Sequence, residues 1–128
     1  MNRYLIRVNY EGLLEERPSD LKAIKVPDDV KVTDVLKELT VLNHTLFALC
    51  EIENYECLQD CLESELYDDE LERGKEICQE LFKTEDDVQD IYSNEGNNAH
   101  TLFSRLIELH PDWDFDRQIV TAVFEFDE

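Results

Sequence analysis

The residues whose side chains could do chemistry are concentrated in one stretch, "CEIENYECLQDCLESELYDDELE", residues 50 to 72. It contains three of the four cysteines and ten carboxylates, and it contains no lysine or arginine. Thiolates and carboxylates can bind metal ions, whereas carboxylates without local counter-charges also suit a positively charged partner. Residues 51 to 72, called the acidic segment below, therefore raise two hypotheses: a metal site and a protein-binding surface.

The metal hypothesis depends on cysteine spacing. Cys57 and Cys61 are four residues apart and Cys50 is seven before Cys57, so one continuous helix would place all three on one face. Zinc ligands, however, usually come in two closely spaced pairs, and Cys78 is alone. Because free cysteine behaves as a small buried hydrophobe, we expect core thiols and no cofactor. A metal site at Cys50, Cys57 and Cys61 is the alternative.

Catalytic patterns are not specific in this chain. His44, His100 and His110 are general-base candidates, but among 32 carboxylates every histidine has acidic neighbours by chance. No serine lies in a nucleophile elbow, and no glycine-rich loop is present to bind phosphate. "DWDFDRQ" begins like a calcium loop, but Arg117 and Val123 occupy the positions that require Gly and Glu. We therefore expect a protein that is not an enzyme.

The net charge of −20 is distributed unevenly. Residues 1 to 40 have a balance of −1, the acidic segment −10 and residues 73 to 128 −9, and no cation lies between Lys37 and Arg73. Solubility of a small domain needs a net charge of only about 2 to 8. Nucleic acid would be repelled by this charge, so the pattern favours a basic protein as partner.

The first functional hypothesis is an inhibitor that occupies the basic cleft of a nucleic-acid-binding enzyme or effector, as a DNA or RNA mimic of the anti-defence type. Side chains on one helical face are about 5 to 6 Å apart, which allows carboxylates to stand in for phosphates. The predicted partner-binding residues are Glu53, Glu56, Asp60, Glu63, Asp68, Asp69, Glu70, Glu72, Glu85, Asp86, Asp87 and Asp90.

Two alternatives remain open from the sequence. The chain fits an immunity protein or antitoxin that neutralises a basic toxin, and it fits an acidic soluble domain with no charged partner. Small acidic inhibitors of this kind occur in phages and mobile elements, but no motif here matches a named family residue by residue. The sequence does not indicate the oligomeric state.

A secondary partner-binding site is predicted at Asp112, Trp113, Asp114 and Asp116. In one interpretation Trp113 and Phe115 point into the core, and in the other an exposed Trp113 anchors a basic partner as hot-spot residues do. Both interpretations keep the aspartates in solvent.

Hydrophobic periodicity indicates which elements position these residues. Strands are predicted over 3 to 10, over 21 to 27 with Pro27 ending the strand, and over 117 to 128, because apolar residues alternate there. A helix is predicted from Val32 with Thr33 as its N-cap, while residues 45 to 52 are ambiguous and favour helix. Amphipathic helices are also predicted from residue 54, after Asp69, from Thr84 and over 99 to 109 with Asn97 or Asn98 as cap.

These elements predict an α+β fold, a small single domain over residues 1 to 128. The N- and C-terminal strands are expected in one sheet, with several amphipathic acidic helices between them. No apolar run approaches the roughly 18 residues of a membrane span, and the opening lacks the features of a signal peptide. We therefore expect a cytoplasmic protein that binds no membrane.

Overall fold

A computed structural model describes residues 2–9, 20–82, 99–116 and 123–127. The described residues begin with two strands, continue with helices and end with two further strands, as predicted for an α+β protein. In chain order they are β1 (Asn2–Asn9), β2 (Asp20–Val26), α1 (Val32–Cys50), a 3-10 turn (Ile52–Asn54), α2 (Leu58–Glu65), α3 (Asp68–Leu81), α4 (Ala99–Leu109), β3 (Asp114–Phe115) and β4 (Val123–Asp127).

Contacts divide the chain into two units. The sheet unit comprises Met1–Glu38 with Asn98–Glu128, and the acidic unit comprises Leu39–Asn97. Helix α1 runs through the boundary, so its first residues belong to the sheet unit and the remainder to the acidic unit. The prediction that residues 1 to 128 form one domain stays a prediction.

The sheet unit contains a mixed sheet with the strand order β3-β2-β1-β4. Strand β1 pairs antiparallel with β2 and parallel with β4, with Leu5 opposite Val123 in the parallel pair. The N- and C-terminal strands therefore share one sheet, which confirms the fold predicted from their alternating residues.

The core of the sheet unit follows from the same alternation. Ile6 of β1 and Ile24 of β2 point to the buried face and are fully inaccessible to solvent. Helix α4 lies against β2, and it contributes the buried Phe103 and Leu106. Strand β2 ends before Pro27 because proline has no amide hydrogen for the ladder.

Helix α1 begins one residue before the predicted cap. Thr33 lies inside the first turn, so the prediction that it is the N-cap is wrong. Asp34 Oδ2 instead accepts the backbone N–H of Lys31 at 2.9 Å, the reach-back bond that an acid at the third helical position makes. The ambiguous residues 45 to 52 are helical as far as Cys50, and the 3-10 turn follows.

The acidic unit has an apolar core beneath its charged surface. Leu42, Leu46 and Leu49 of α1 are buried, as are Leu62 of α2 and Ile77 of α3. These positions recur at helical spacing, so the polar residues of each helix are left on the opposite face.

Gly74 allows close packing in this core. A Cβ at this position would overlap Leu66 Cδ1 and lie 3.2 Å from Thr45 Oγ1. Because Gly74 has no side chain, α3 can approach both α1 and the end of α2.

Three predictions fall on residues that the structure does not describe: the helix beginning at Thr84, the cap at Asn97 or Asn98, and the first part of the C-terminal strand. Among the described residues, no helix has both the length and the apolar character needed to cross a membrane.

Candidate functional site

In the part of the acidic unit that the structure describes, residues 39 to 82, almost all carboxylates are on the surface. Residues 39 to 82 contain twelve acidic residues and two basic ones, which gives a formal charge of −10. Eleven of these twelve acidic side chains are exposed, and Glu70 is half-buried. The charge predicted from the sequence is therefore presented to solvent, and most of these carboxylates are on helices.

The predicted binding residues of this unit do not lie on one helix. Glu53 is in the 3-10 turn, Asp60 and Glu63 are in α2, and the group from Asp68 to Glu72 is in α3. The chain changes direction at Tyr55 and Leu66, whose extended backbones have ψ values of 154° and 149°. Glu56 lies in the non-helical connection between the 3-10 turn and α2, and the other seven of these eight carboxylates are distributed over three consecutive helical pieces.

Neighbouring side chains hold some carboxylates of this surface, Glu63 and Glu65 among them. Glu63 Oε1 accepts a hydrogen bond from Gln59 at 3.1 Å and lies 3.9 Å from Lys75 Nζ. Glu65 accepts the Tyr55 hydroxyl at 2.7 Å, and this bond raises the pKa of Tyr55.

Glu70 connects two helices. Both of its carboxylate oxygens lie close to His44 Nδ1, at 3.0 and 3.1 Å, so the pair joins α3 to α1 within the acidic unit. Glu70 is consequently less available to an external partner than the acids around it, and it serves partly to position α3.

The start of α3 presents an aromatic side chain among acids. Tyr67 is 72% exposed and is followed by Asp68, Asp69 and Glu70 in the first turn, where acids stabilise the positive end of the helix dipole. Asp68 has a φ of 52°, a left-handed conformation that aspartate tolerates better than most residues. Sequence analysis missed Tyr67, although its position outside the apolar stripe of α2 was the available signal.

A groove of about 500 Å³ runs between α2 and α3 and is called the α2–α3 groove below. It is lined by Leu58, Gln59 and Leu62 of α2 and by Lys75, Cys78, Gln79 and Phe82 near α3. Sequence analysis did not identify it. The lining positions of α3 do recur at helical spacing, but a groove also needs a second helix at a fixed distance, which periodicity does not specify.

The cysteines do not form the metal site considered from their spacing. Cys50 ends α1, Cys57 precedes α2 and Cys61 lies within α2, so the three are not on one continuous helix. Cys61 Sγ donates to the Ala48 carbonyl at 3.0 Å. Within residues 2–9, 20–82, 99–116 and 123–127, no group of three or more His, Cys, Asp or Glu side chains is arranged to hold a metal ion.

Two of the four thiols are buried as expected for core cysteines. Burial raises the pKa of Cys61 to about 11, assisted by the charges of Glu65 and Glu51, and it raises the pKa of Cys78 to about 12. Cys57 is exposed, so the core prediction is wrong for that residue, because α2 begins only after it.

The predicted secondary site is only partly at the surface. Trp113 is 5% exposed, and its ring stacks on His110 with a centroid distance of 3.7 Å and an interplanar angle of 7°. His110 Nε2 in turn lies 3.2 Å from Glu38 Oε1. The interpretation of Trp113 as an exposed anchor is therefore wrong, and the interpretation that places it in the core is confirmed.

Asp116 also differs from the expectation. Its side chain is 3% exposed and its Oδ2 lies 3.4 Å from Arg3 Nε, whereas Asp112 and Asp114 are exposed. The backbone N–H of Asp116 donates to the Ala23 carbonyl, so the end of β3 is fixed to β2 and draws the carboxylate inward. The aspartates of this stretch are thus not all solvated.

The predicted extension of the binding surface at Glu85, Asp86, Asp87 and Asp90 lies outside the described residues. Comparison with known proteins found no matching family model, no matching curated protein and no matching solved structure.

Proposed function

We propose that the protein is a stoichiometric inhibitor that binds the basic cleft of a nucleic-acid-binding enzyme or effector as a DNA or RNA mimic. The supporting observation is the exposure of eleven of the twelve carboxylates in residues 39 to 82. Binding, not catalysis, is the proposed activity, and the proposal requires no cofactor.

Helical geometry supports this proposal because it limits how far the carboxylates can move relative to one another. Charges mounted on folded elements present a fixed pattern, and a partner with a matching basic cleft gains association rate and specificity from it. Most of this surface lacks local cations, since residues 39 to 82 contain only Arg73 and Lys75. Arg73 is already 2.9 Å from Glu76, so it neutralises little of the remaining charge.

The alternatives differ in partner. An immunity protein or antitoxin would use the same surface against a basic toxin, and an acidic domain with no charged partner would use it only for solubility. The proposed inhibition takes place in the cytoplasm, where the four cysteine thiols would remain reduced.

The first experiment is affinity capture of the tagged protein from nuclease-treated host lysate with elution in steps of rising salt. We expect a basic protein to elute at intermediate salt and to be displaced by added duplex DNA or RNA, because both ligands compete for one cleft. Retention that nucleic acid does not reverse would contradict mimicry, and a toxin as the captured protein would favour the immunity alternative.

Charge reversal tests which surface is responsible. We expect Glu53→Lys, Glu56→Lys and Glu72→Lys together to weaken partner binding at least about 100-fold, since each reversal replaces attraction with repulsion. The matched control reverses three exposed acids of the sheet unit, Asp28, Asp29 and Glu108, with the same change in net charge.

Both triple variants are compared with the parent by circular dichroism before affinity is measured. Asp68 is left unchanged because lysine would be strained at its φ of 52°. Equal weakening by the two sets would show that net charge alone, and not the acidic unit, governs binding.

A further inference from the structure

We propose that the α2–α3 groove receives an apolar side chain of the basic partner, and that the partner therefore presents an amphipathic helix with apolar anchors flanked by arginine or lysine. This inference rests on the proposed function and assigns the partner segment that the acidic unit recognises. Helices of this type bind apolar grooves through residues spaced three or four apart.

The base of the groove is apolar. Leu62, Cys78 and Phe82 are buried and form it, while Leu58 is half-buried at one side. The thiol of Cys78 is protonated at neutral pH, because burial raises its pKa to about 12, and so it adds no charge. An occupant must therefore present an apolar group to the base.

The rim of the groove is polar and its surroundings are acidic. Gln59 and Gln79 are exposed on opposite helices, and the cation Lys75 lies 3.9 Å from Glu63. Glu72 and Glu76 are close to Lys75 along α3 and are exposed. The rim can thus form hydrogen bonds, and the charge around it disfavours any anionic occupant.

Charge complementarity selects among possible occupants. A fatty acid or an acidic peptide would bring negative charge into a unit whose described part carries −10. A second copy of this chain would bring the same acidic surface. A basic amphipathic helix matches both the apolar base of the groove and its acidic surroundings. Its apolar side chains enter the groove while its cations contact the surrounding carboxylates.

Two synthetic peptides of equal charge test the proposal. The first has leucine at helical spacing and arginine on its other face, and the second replaces each leucine with serine. Their affinities for the full chain are measured by fluorescence anisotropy at low and at physiological salt. We expect the leucine peptide to bind at least about tenfold more tightly, with the difference persisting when salt weakens both.

Substitutions in the groove test whether the groove causes the difference in affinity between the leucine peptide and the serine peptide. Leu58→Ser removes one side of the groove and Gln79→Phe partly fills it, and neither changes the charge. We expect each to remove most of the advantage of the leucine peptide without altering binding of the serine peptide. Phe47→Ser is the matched control, because Phe47 is a 48% exposed apolar residue of the same unit outside the groove lining.

The outcomes separate this inference from the proposed function. If the groove variants bind both peptides as the parent does, while the Glu53, Glu56 and Glu72 reversal loses both, the acidic surface stands and the groove inference fails. If the parent binds neither peptide, the groove inference fails, whereas the proposed function fails only if no basic protein displaced by nucleic acid is captured. A dimer in sedimentation that Leu58→Ser dissociates would assign the groove to a second copy and overturn the inference.

Discussion

At the scale of single residues, the cysteines have different chemical environments although they are close in sequence. Cys61 and Cys78 are buried, and burial raises their pKa values to about 11 and about 12. Cys57, four residues before Cys61, is exposed. Thiol reactivity depends on the thiolate and on access, so these environments should produce different reaction rates.

Thiol labelling at pH 8 checks this difference. We expect Cys57 to react with iodoacetamide first and Cys61 and Cys78 to react only when the protein is unfolded, since their raised pKa values leave almost no thiolate at that pH. Peptide mapping by mass spectrometry measures each site. Rapid labelling of Cys78 in the native protein would contradict its burial, and denatured protein provides the control for intrinsic reactivity.

At the scale of elements, the acidic unit depends on a close approach between α3 and its neighbours. Gly74 faces Leu66 and Thr45, and Thr45 Oγ1 also donates to the Val41 carbonyl at 2.8 Å, so its position is fixed. The distance between α3 and α1 is therefore controlled by a position with no side chain.

Gly74→Ala should destabilise the protein. The added methyl group must displace Leu66, and overpacking of this kind costs about 1 to 3 kcal/mol, while alanine returns up to about 1 kcal/mol through its higher helix propensity. We expect a net loss of about 1 kcal/mol in the free energy of unfolding, measured by urea denaturation. Gln79→Ala, at an exposed position of the same helix, is the control, and increased stability of Gly74→Ala would contradict the packing described.

The elements that sequence analysis predicted are those with a clear period. The alternation around Ile6 and Ile24 predicts β1 and β2, and the apolar stripes predict α1, α3 and α4, because one face of each is buried. Periodicity did not predict that the helix is interrupted before Leu58, because the interruption depends on the change of chain direction at Tyr55. Nor did it predict the burial of Asp116, which depends on Arg3, distant in sequence.

The candidate site was predictable in composition but not in shape. The absence of cations between Lys37 and Arg73 identifies the acidic surface directly from the sequence. The exposure of Tyr67 and the α2–α3 groove depend on the angle and distance between helices, which the sequence pattern leaves undetermined.

At the scale of the whole molecule, the net charge of −20 on 128 residues destabilises the folded state, because its carboxylates repel one another. Dissolved salt screens charges separated by more than about 10 Å at 0.1 M. Unfolding moves the carboxylates apart, so screening should stabilise the folded state more than the unfolded state.

Thermal unfolding in rising sodium chloride measures this effect. We expect Tm to increase between low salt and physiological salt, and a gain of about 1 kcal/mol corresponds to about 4 °C for a chain of this length. The triple lysine variant of Glu53, Glu56 and Glu72 should show a smaller increase, because it carries less repulsion. A Tm that falls with salt would indicate that favourable ion pairs outweigh the repulsion.

The parallel pairing of β1 with β4 has a consequence for folding kinetics. Leu5 meets Val123 across almost the whole length of the chain, whereas α2 meets α3 between neighbouring segments. Closing a long loop costs entropy before its contacts form, so pairings between distant residues tend to form slowly. The acidic helices can therefore pack through contacts between neighbouring segments before the edge strand β4 pairs with β1.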